Sequence, residues 1–179
     1  MTEEEIIAAV RDRAADLPPT ASPKAVSDAE KVIGYPLPRL LRRLYLEVAN
    51  GGFGPASGAL GVPGSEWISD WEDILDVYRA FTTSDPDGLV PEGLIWLVDW
   101  GCNIWTLIDC RDSNGWVWGW DPSGSCCLDH ALFPQQVTLV DWLASWLDGT
   151  LTMPHGSENP TQLMHKKQLG EEMSPDVPR

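Results

Sequence analysis

Three histidines and four cysteines are the side chains best suited to nucleophilic, acid–base or metal chemistry, and their spacing assembles none of the usual arrangements. His130 follows Asp129 and can pair with it, but a solvated loop histidine is the plainer reading; His155 and His165 lie in a C-terminal stretch without periodicity. Cys126 and Cys127 are adjacent, an awkward start for a disulfide framework. Cys102 and Cys110, if they bracket one strand, stand about 26 Å apart at ~3.3 Å per residue, so reduced thiols are expected. Cys102, in a turn, is the most accessible candidate nucleophile. The CxxC or Cys/His spacing of a zinc site is absent. So are the GxSxG, HExxH, GxxxxGK[ST] and strand-to-helix GxGxxG motifs. Gly51-Gly52-Phe53-Gly54 lacks a following lysine and comes after a helix, which argues against phosphate cradling. The residues therefore read as a non-enzyme with no cofactor and no metal.

Charge is the outlying property: 27 acidic against 12 basic residues give a formal −15. Such a chain repels nucleic-acid phosphates and anionic membranes, so neither is an expected partner. From Met1 to Val48 eight acidic residues nearly balance seven basic ones. From Glu66 to Asp148 fifteen acidic residues meet only Arg79 and Arg111. This is either ordinary solubilisation or a negative face that steers a basic partner. The acidic start MTEEE lacks the basic and apolar regions of a signal peptide, and the longest strongly apolar run is about six residues against the ~20 of a membrane helix. A cytoplasmic protein is expected.

Elements must position whatever the surface does. Thr2 caps a first helix to about Ala15, and Leu17-Pro18-Pro19-Thr20 breaks it. Ser22 caps a second helix with Pro23 at its first position and Gly34 at its end. After the rigid Tyr35-Pro36-Leu37-Pro38 bridge, Leu37, Leu40, Leu41, Leu44, Tyr45 and Val48 form the apolar stripe of a third helix, about Pro38–Ala49. Asn50-Gly51-Gly52 is expected to end it with a left-handed cap. Arg39, Arg42 and Arg43 on its other side are either a phosphate site or, more simply, a solvated face. Ser69 or Asp70 caps a fourth helix to about Phe81, with Trp71, Ile74, Leu75 and Tyr78 inward. A polar loop, Thr82–Gly88, leads to strands over Gly93–Trp100, Asn103–Cys110 and Gly115–Trp120, read as an antiparallel meander. Ser125–Leu132 is a short strand or a loop. Thr138 caps a last helix, Leu139–Asp148, ended by Gly149. The fold class is α+β: N-terminal helices, a central antiparallel sheet of about four to six strands, mainly within Gly58–Leu132, and a C-terminal helix. Residues 1–151 read as one domain and 152–179 as a flexible tail.

The run LPRLLRRLYLEVANGGFG followed by ALG resembles the SUKH superfamily, which includes fungal cell-wall-synthesis regulators and many bacterial immunity proteins. Glu30, Gly34, Leu37, Pro38, Tyr45, Asn50, Gly51 and Gly52 match the family pattern. The segments DWGCNIWTLIDC (Asp99–Cys110) and DWLASWLDG (Asp141–Gly149) resemble further family segments, so the likeness covers roughly Ser22 to Leu151. It implies a SUKH-like fold and, for bacterial members, an immunity protein that binds a cognate toxin, often a nuclease or deaminase, and occludes its active site.

Ten tryptophans remain to be placed, six of them in the strands. By alternation Trp96, Val98 and Trp100 share one side of the first strand, Trp105 and Leu107 one side of the second, and Trp116, Trp118 and Trp120 one side of the third. They form either a bulky core with satisfied indole N–H groups or a concave aromatic and acidic surface for a protein. In the second case the partner-binding residues are Asp99, Trp100, Asn103, Trp105, Asp109, Asp112, Trp116, Trp118 and Asp121. The partner is then a protein, a basic toxin under the immunity reading, and the chain a monomer or weak dimer. The rival readings are a housekeeping interaction domain of the cell-wall-regulator type and a carbohydrate-binding module that stacks sugars on tryptophan.

Overall fold

The computed structural model describes residues 1–13, 16–67, 69–83, 88–123 and 128–155. Among the described residues five helices and one antiparallel sheet build the α+β fold that the sequence predicts. The helices are α1 (Glu3–Arg13), α2 (Pro23–Ile33), α3 (Arg39–Glu47), α4 (Ile74–Thr83) and α5 (Leu139–Asp148). The strands β1 (Leu94–Asp99), β2 (Trp105–Asp109), β3 (Trp116–Trp120) and β4 (Leu132–Thr138) lie in the order β1-β2-β3-β4.

Local chemistry explains most boundaries. The Ser22 hydroxyl accepts from the Ala25 N–H at the start of α2, and Gly34 closes it with φ 84°. Thr138 caps α5 through the Asp141 N–H, and Gly149 closes it with φ 81°. Two boundaries differ from expectation. The helix α4 begins at Ile74, because the Asp73 carboxylate, rather than Ser69 or Asp70, accepts from the N–H groups of Leu75 and Asp76. And α3 stops with Val48 in a right-handed conformation, before the Asn50-Gly51-Gly52 run is reached.

That run does other work. The Asn50 side chain accepts from the Val62 N–H and donates to the Val62 carbonyl, at 2.8 and 3.1 Å, so it ties both ends of the loop together. Gly51 and Gly52 hold φ 97° and 79°, and a Cβ on Gly52 would lie 2.6 Å from the Trp67 ring. The Tyr45 hydroxyl donates to the Leu60 carbonyl at 2.6 Å, and the Leu60 N–H donates to the Leu97 carbonyl. The Gly58–Gly61 segment is thus pinned beside β1 without being a strand.

Leu97 is also where β1 slips. Trp96 pairs with Leu107, but Val98 pairs with Thr106, so one residue bulges and the alternation reverses. Trp96 faces the side of Trp105 and Trp120, whereas Trp100 faces the other side, where its indole N–H donates to Thr106 Oγ1 at 2.9 Å. The expected shared face of Trp96, Val98 and Trp100 does not form. The fourth strand, Leu132–Thr138, lies beyond the segment read as strand or loop; a 3₁₀ turn, Leu128–His130, precedes it. Pro134 and a bulge at Gln136 (φ 58°) weaken its pattern, and both are admissible on an edge strand.

One contiguous core joins the helices to the sheet. The helices α1, α3 and α5 pack together, α2 bridges α3 to α4, and α5 lies against β3 and β4. On the tryptophan side of the sheet, Phe81 of α4 stacks on Trp96 at 4.0 Å between ring centroids. Trp105 and Trp120 meet Trp96 edge-on at 5.6 and 5.5 Å. Past α5 the described chain stays on the domain: Pro154 is buried and packs near Gly119. Residues 156–179, with His165, and Cys126, Cys127 and most of the Thr82–Gly88 loop lie outside the described residues.

Candidate functional site

The nine residues proposed for partner binding do not share one surface. Register separates them by strand end. Asp99, Trp100, Asn103 and Trp105 gather at the β1–β2 turn, with Trp120 and then Asp121 opposite Trp105. Asp109, Asp112 and Trp116 stand at the other end, around the β2–β3 turn. About five residues at ~3.3 Å each keep the two groups some 16 Å apart.

Burial removes some of them from any surface. Trp105 is 2% exposed and locked in the aromatic cluster, and Asp109 is 7% exposed. Asp109 is also neutralised, since Arg111 donates to it through Nε at 2.8 Å and Nη2 at 2.6 Å. Burial opposes its ionisation, but the hydrogen bonds from Arg111 outweigh that and hold its carboxyl below the usual range. Asp121 is buried too, capping its own turn by accepting from the Ser123 N–H, with His155 Nδ1 3.5 Å away. Asp112 accepts from the Asn114 N–H in the same way. Trp118 is half-buried, its carbonyl accepting from Gln135, while Trp116 is 43% exposed. The core reading of the tryptophans thus holds for Trp96, Trp105 and Trp120, although Trp120 Nε1 has no hydrogen-bond partner among the described residues.

Asp112, Trp116 and Trp118 keep some exposure, as do Asp99, Trp100 and Asn103 at the β1–β2 turn, and a loop that the strand-centred reading missed lies beside that turn. The Ser57 hydroxyl donates to the Asp99 carbonyl at 2.8 Å, and the Trp67 indole N–H donates to the Ser57 carbonyl at 3.1 Å. Trp71 meets Trp105 edge-on at 6.2 Å. These links bring the segment after Gly64 to the same end of the sheet. There Glu66, Trp67, Asp70, Trp71, Glu72 and Asp73 line an open bowl of about 520 Å³. Among the described residues Glu66, Asp70, Glu72 and Asp99 have no ion-pair partner. The signal was present in the sequence: Ala49–Tyr78 holds five carboxylates and no Lys or Arg, with two tryptophans four apart.

Charge at the opposite end is different. Arg111 approaches Tyr35, and the Arg39 N–H donates to the Ser113 carbonyl at 3.2 Å, so the arginines of α3 border the β2–β3 turn. The sheet therefore runs from an acidic, indole-bearing end to an arginine-bearing one. Among the described residues no group of three or more His, Cys, Asp or Glu side chains is placed to hold a metal, and the two described cysteines, Cys102 and Cys110, are free thiols. Burial pushes the Cys110 thiol well up.

The remaining sequence matches are framework. Glu30 Oε1 accepts from the Leu37 N–H at 3.1 Å, Leu37 and Pro38 are buried at the entry to α3, and Gly34, Tyr45, Asn50, Gly51 and Gly52 make the caps and loop contacts described above. These residues all fall within the region matched by a family model. A search among curated proteins finds no match. The model of the SMI1 / KNR4 family (SUKH-1) matches residues 20–145, and the chain belongs to that family.

Proposed function

We propose that this chain is a non-catalytic protein-binding domain of the immunity type, which neutralises a basic toxin by covering it with the acidic end of the sheet. One observation carries the reading: among the described residues Glu66, Asp70, Glu72 and Asp99 have no ion-pair partner, at the end of the sheet that carries the half-buried Trp67 and Trp71. Unpaired carboxylates attract Lys and Arg from a distance, and indole faces hold the cations on arrival. A rim of charge around aromatic anchors is a common form of an energetic hot spot. Occlusion of this kind asks for no chemistry from the inhibitor, in agreement with the scattered histidines and thiols. Family membership supports a role in protein interaction, and the charge distribution supports a basic partner.

The test is co-expression with the product of the neighbouring reading frame. If that product arrests growth, the wild-type chain is expected to restore it and to co-purify with it. The E66K/D70K variant is expected to fold and to lose protection. Protection by that variant equal to wild type would count against the acidic end as the binding face.

A further inference from the structure

The opposite end of the sheet gathers arginines that the sequence keeps far apart. Arg39 and Arg42 of α3 meet Arg111 from the β2–β3 turn around an open groove of about 610 Å³, where Tyr35 is half-buried, Pro36 exposed and Leu37 buried beneath them. This volume is of the size that ligand and peptide side chains fill.

The guanidiniums are not equivalent. Arg43 is saturated by Glu4 and Glu47, and Arg111 grips Asp109 through two nitrogens. Arg39 approaches Glu3 through Nε, at 3.1 Å, and Arg42 approaches Glu30 through Nε, at 3.4 Å. Among the described residues the Nη groups of both have no hydrogen-bond partner, and the side chains are 70% and 44% exposed. Each therefore offers the outer edge of a planar fork, the geometry that takes a carboxylate through two parallel hydrogen bonds. In each resident contact the arginine is exposed and the carboxylate partly buried, so the guanidinium's outer edge faces solvent.

We infer that this groove docks an acidic peptide segment of a partner protein. An apolar side chain of the segment sits on Tyr35 and Pro36, and the flanking carboxylates are taken by Arg39 and Arg42. Charge complementarity selects the occupant: among the described residues Arg39 and Arg42 present spare cationic donors beside the apolar faces of Tyr35 and Pro36. A bare phosphate would use the guanidiniums and leave the floor uncovered. The inference does not rest on the basic-partner reading, which concerns the other end of the sheet.

The probe is a fluorescein-labelled peptide, Ser-Gly-Glu-Glu-Leu-Glu-Glu-Gly-Ser, titrated into the full chain at low salt. Binding is expected, with amide shifts centred on Leu37, Arg39 and Ser113. Replacing the peptide leucine by glycine, or introducing R39Q/R42Q in the protein, is expected to weaken it by about tenfold each, as loss of an apolar anchor or of paired forks does. The E66K variant is expected to bind the peptide as wild type does. Should the double variant not fold, Pro36→Glu on the exposed floor takes its place and is expected to abolish the shifts. Absence of binding, shifts confined to the acidic end, or a glycine peptide that binds equally and is displaced by millimolar inorganic phosphate would each overturn the inference.

Discussion

At the residue scale, the family-matching positions are explained by hydrogen bonds rather than by function. Asn50 bridges both backbone groups of Val62 from a buried site, so Asn50→Ala leaves a buried donor and acceptor unsatisfied. The expected cost is about 2–6 kcal/mol, at ~1–3 kcal/mol for each of the two buried groups left bare, and is read from urea unfolding. Asp109 supplies a pH-dependent case. Its folded carboxyl lies below the ordinary range because Arg111 outweighs the burial that opposes ionisation. The stabilisation is therefore complete above the unfolded value near ~3.9 and is lost as pH falls through the lower folded value. Asp109→Asn is expected to cost about 1 kcal/mol at neutral pH, held to that figure by the partly exposed Arg111, with the gap to wild type closing in acid. Sequence could show that Asp109 and Arg111 are two apart, but not that the turn folds one onto the other. That is why Asp109 reads as a partner contact until the turn is seen.

At the element scale, helices with a polar cap, an apolar stripe and a glycine stop were legible to the residue: α2 and α5 begin and end where Ser22, Gly34, Thr138 and Gly149 place them. Elements that depend on another segment were not. The bulge at Leu97 arises where the Leu60 N–H takes the Leu97 carbonyl, a contact between distant segments, and it reverses the faces of Val98 and Trp100. The strand β4 was hidden by Pro134 and two glutamines, which only an edge position tolerates. The helix α4 lies against the sheet through its aromatic residues, and Phe81 is the contact to test. Phe81→Ala removes the ring stacked on Trp96 and the edge contact to Trp105. Because Phe81 is only partly buried, the expected loss is about 2–3 kcal/mol, below the full cost of a core phenylalanine. A red shift of tryptophan emission as Trp96 meets water accompanies it; unchanged emission would mean that α4 does not shield this face.

At the scale of the whole molecule, the sequence revealed the excess of acid but not its polarity. The counts along the chain put Arg111 inside the acidic stretch, and only the fold carries it to the arginines of α3. Segregated charge acts mainly on encounter: a basic partner is oriented before contact, which raises the association rate more than it slows dissociation. Reversing Glu66 and Asp70, which are exposed and have no ion-pair partner among the described residues, is thus expected to lower the association rate of a basic partner by about tenfold at low ionic strength, within the range that steering spans. The dissociation rate should change little, because the indoles of Trp67 and Trp71 remain in place. Salt separates this from a loss of fit. At high ionic strength the Debye length shrinks to about 3 Å, and the wild-type and variant association rates should converge. Rates that differ by the same factor across a stopped-flow salt series would show that the two carboxylates act by local contact instead of by the field of the acidic end.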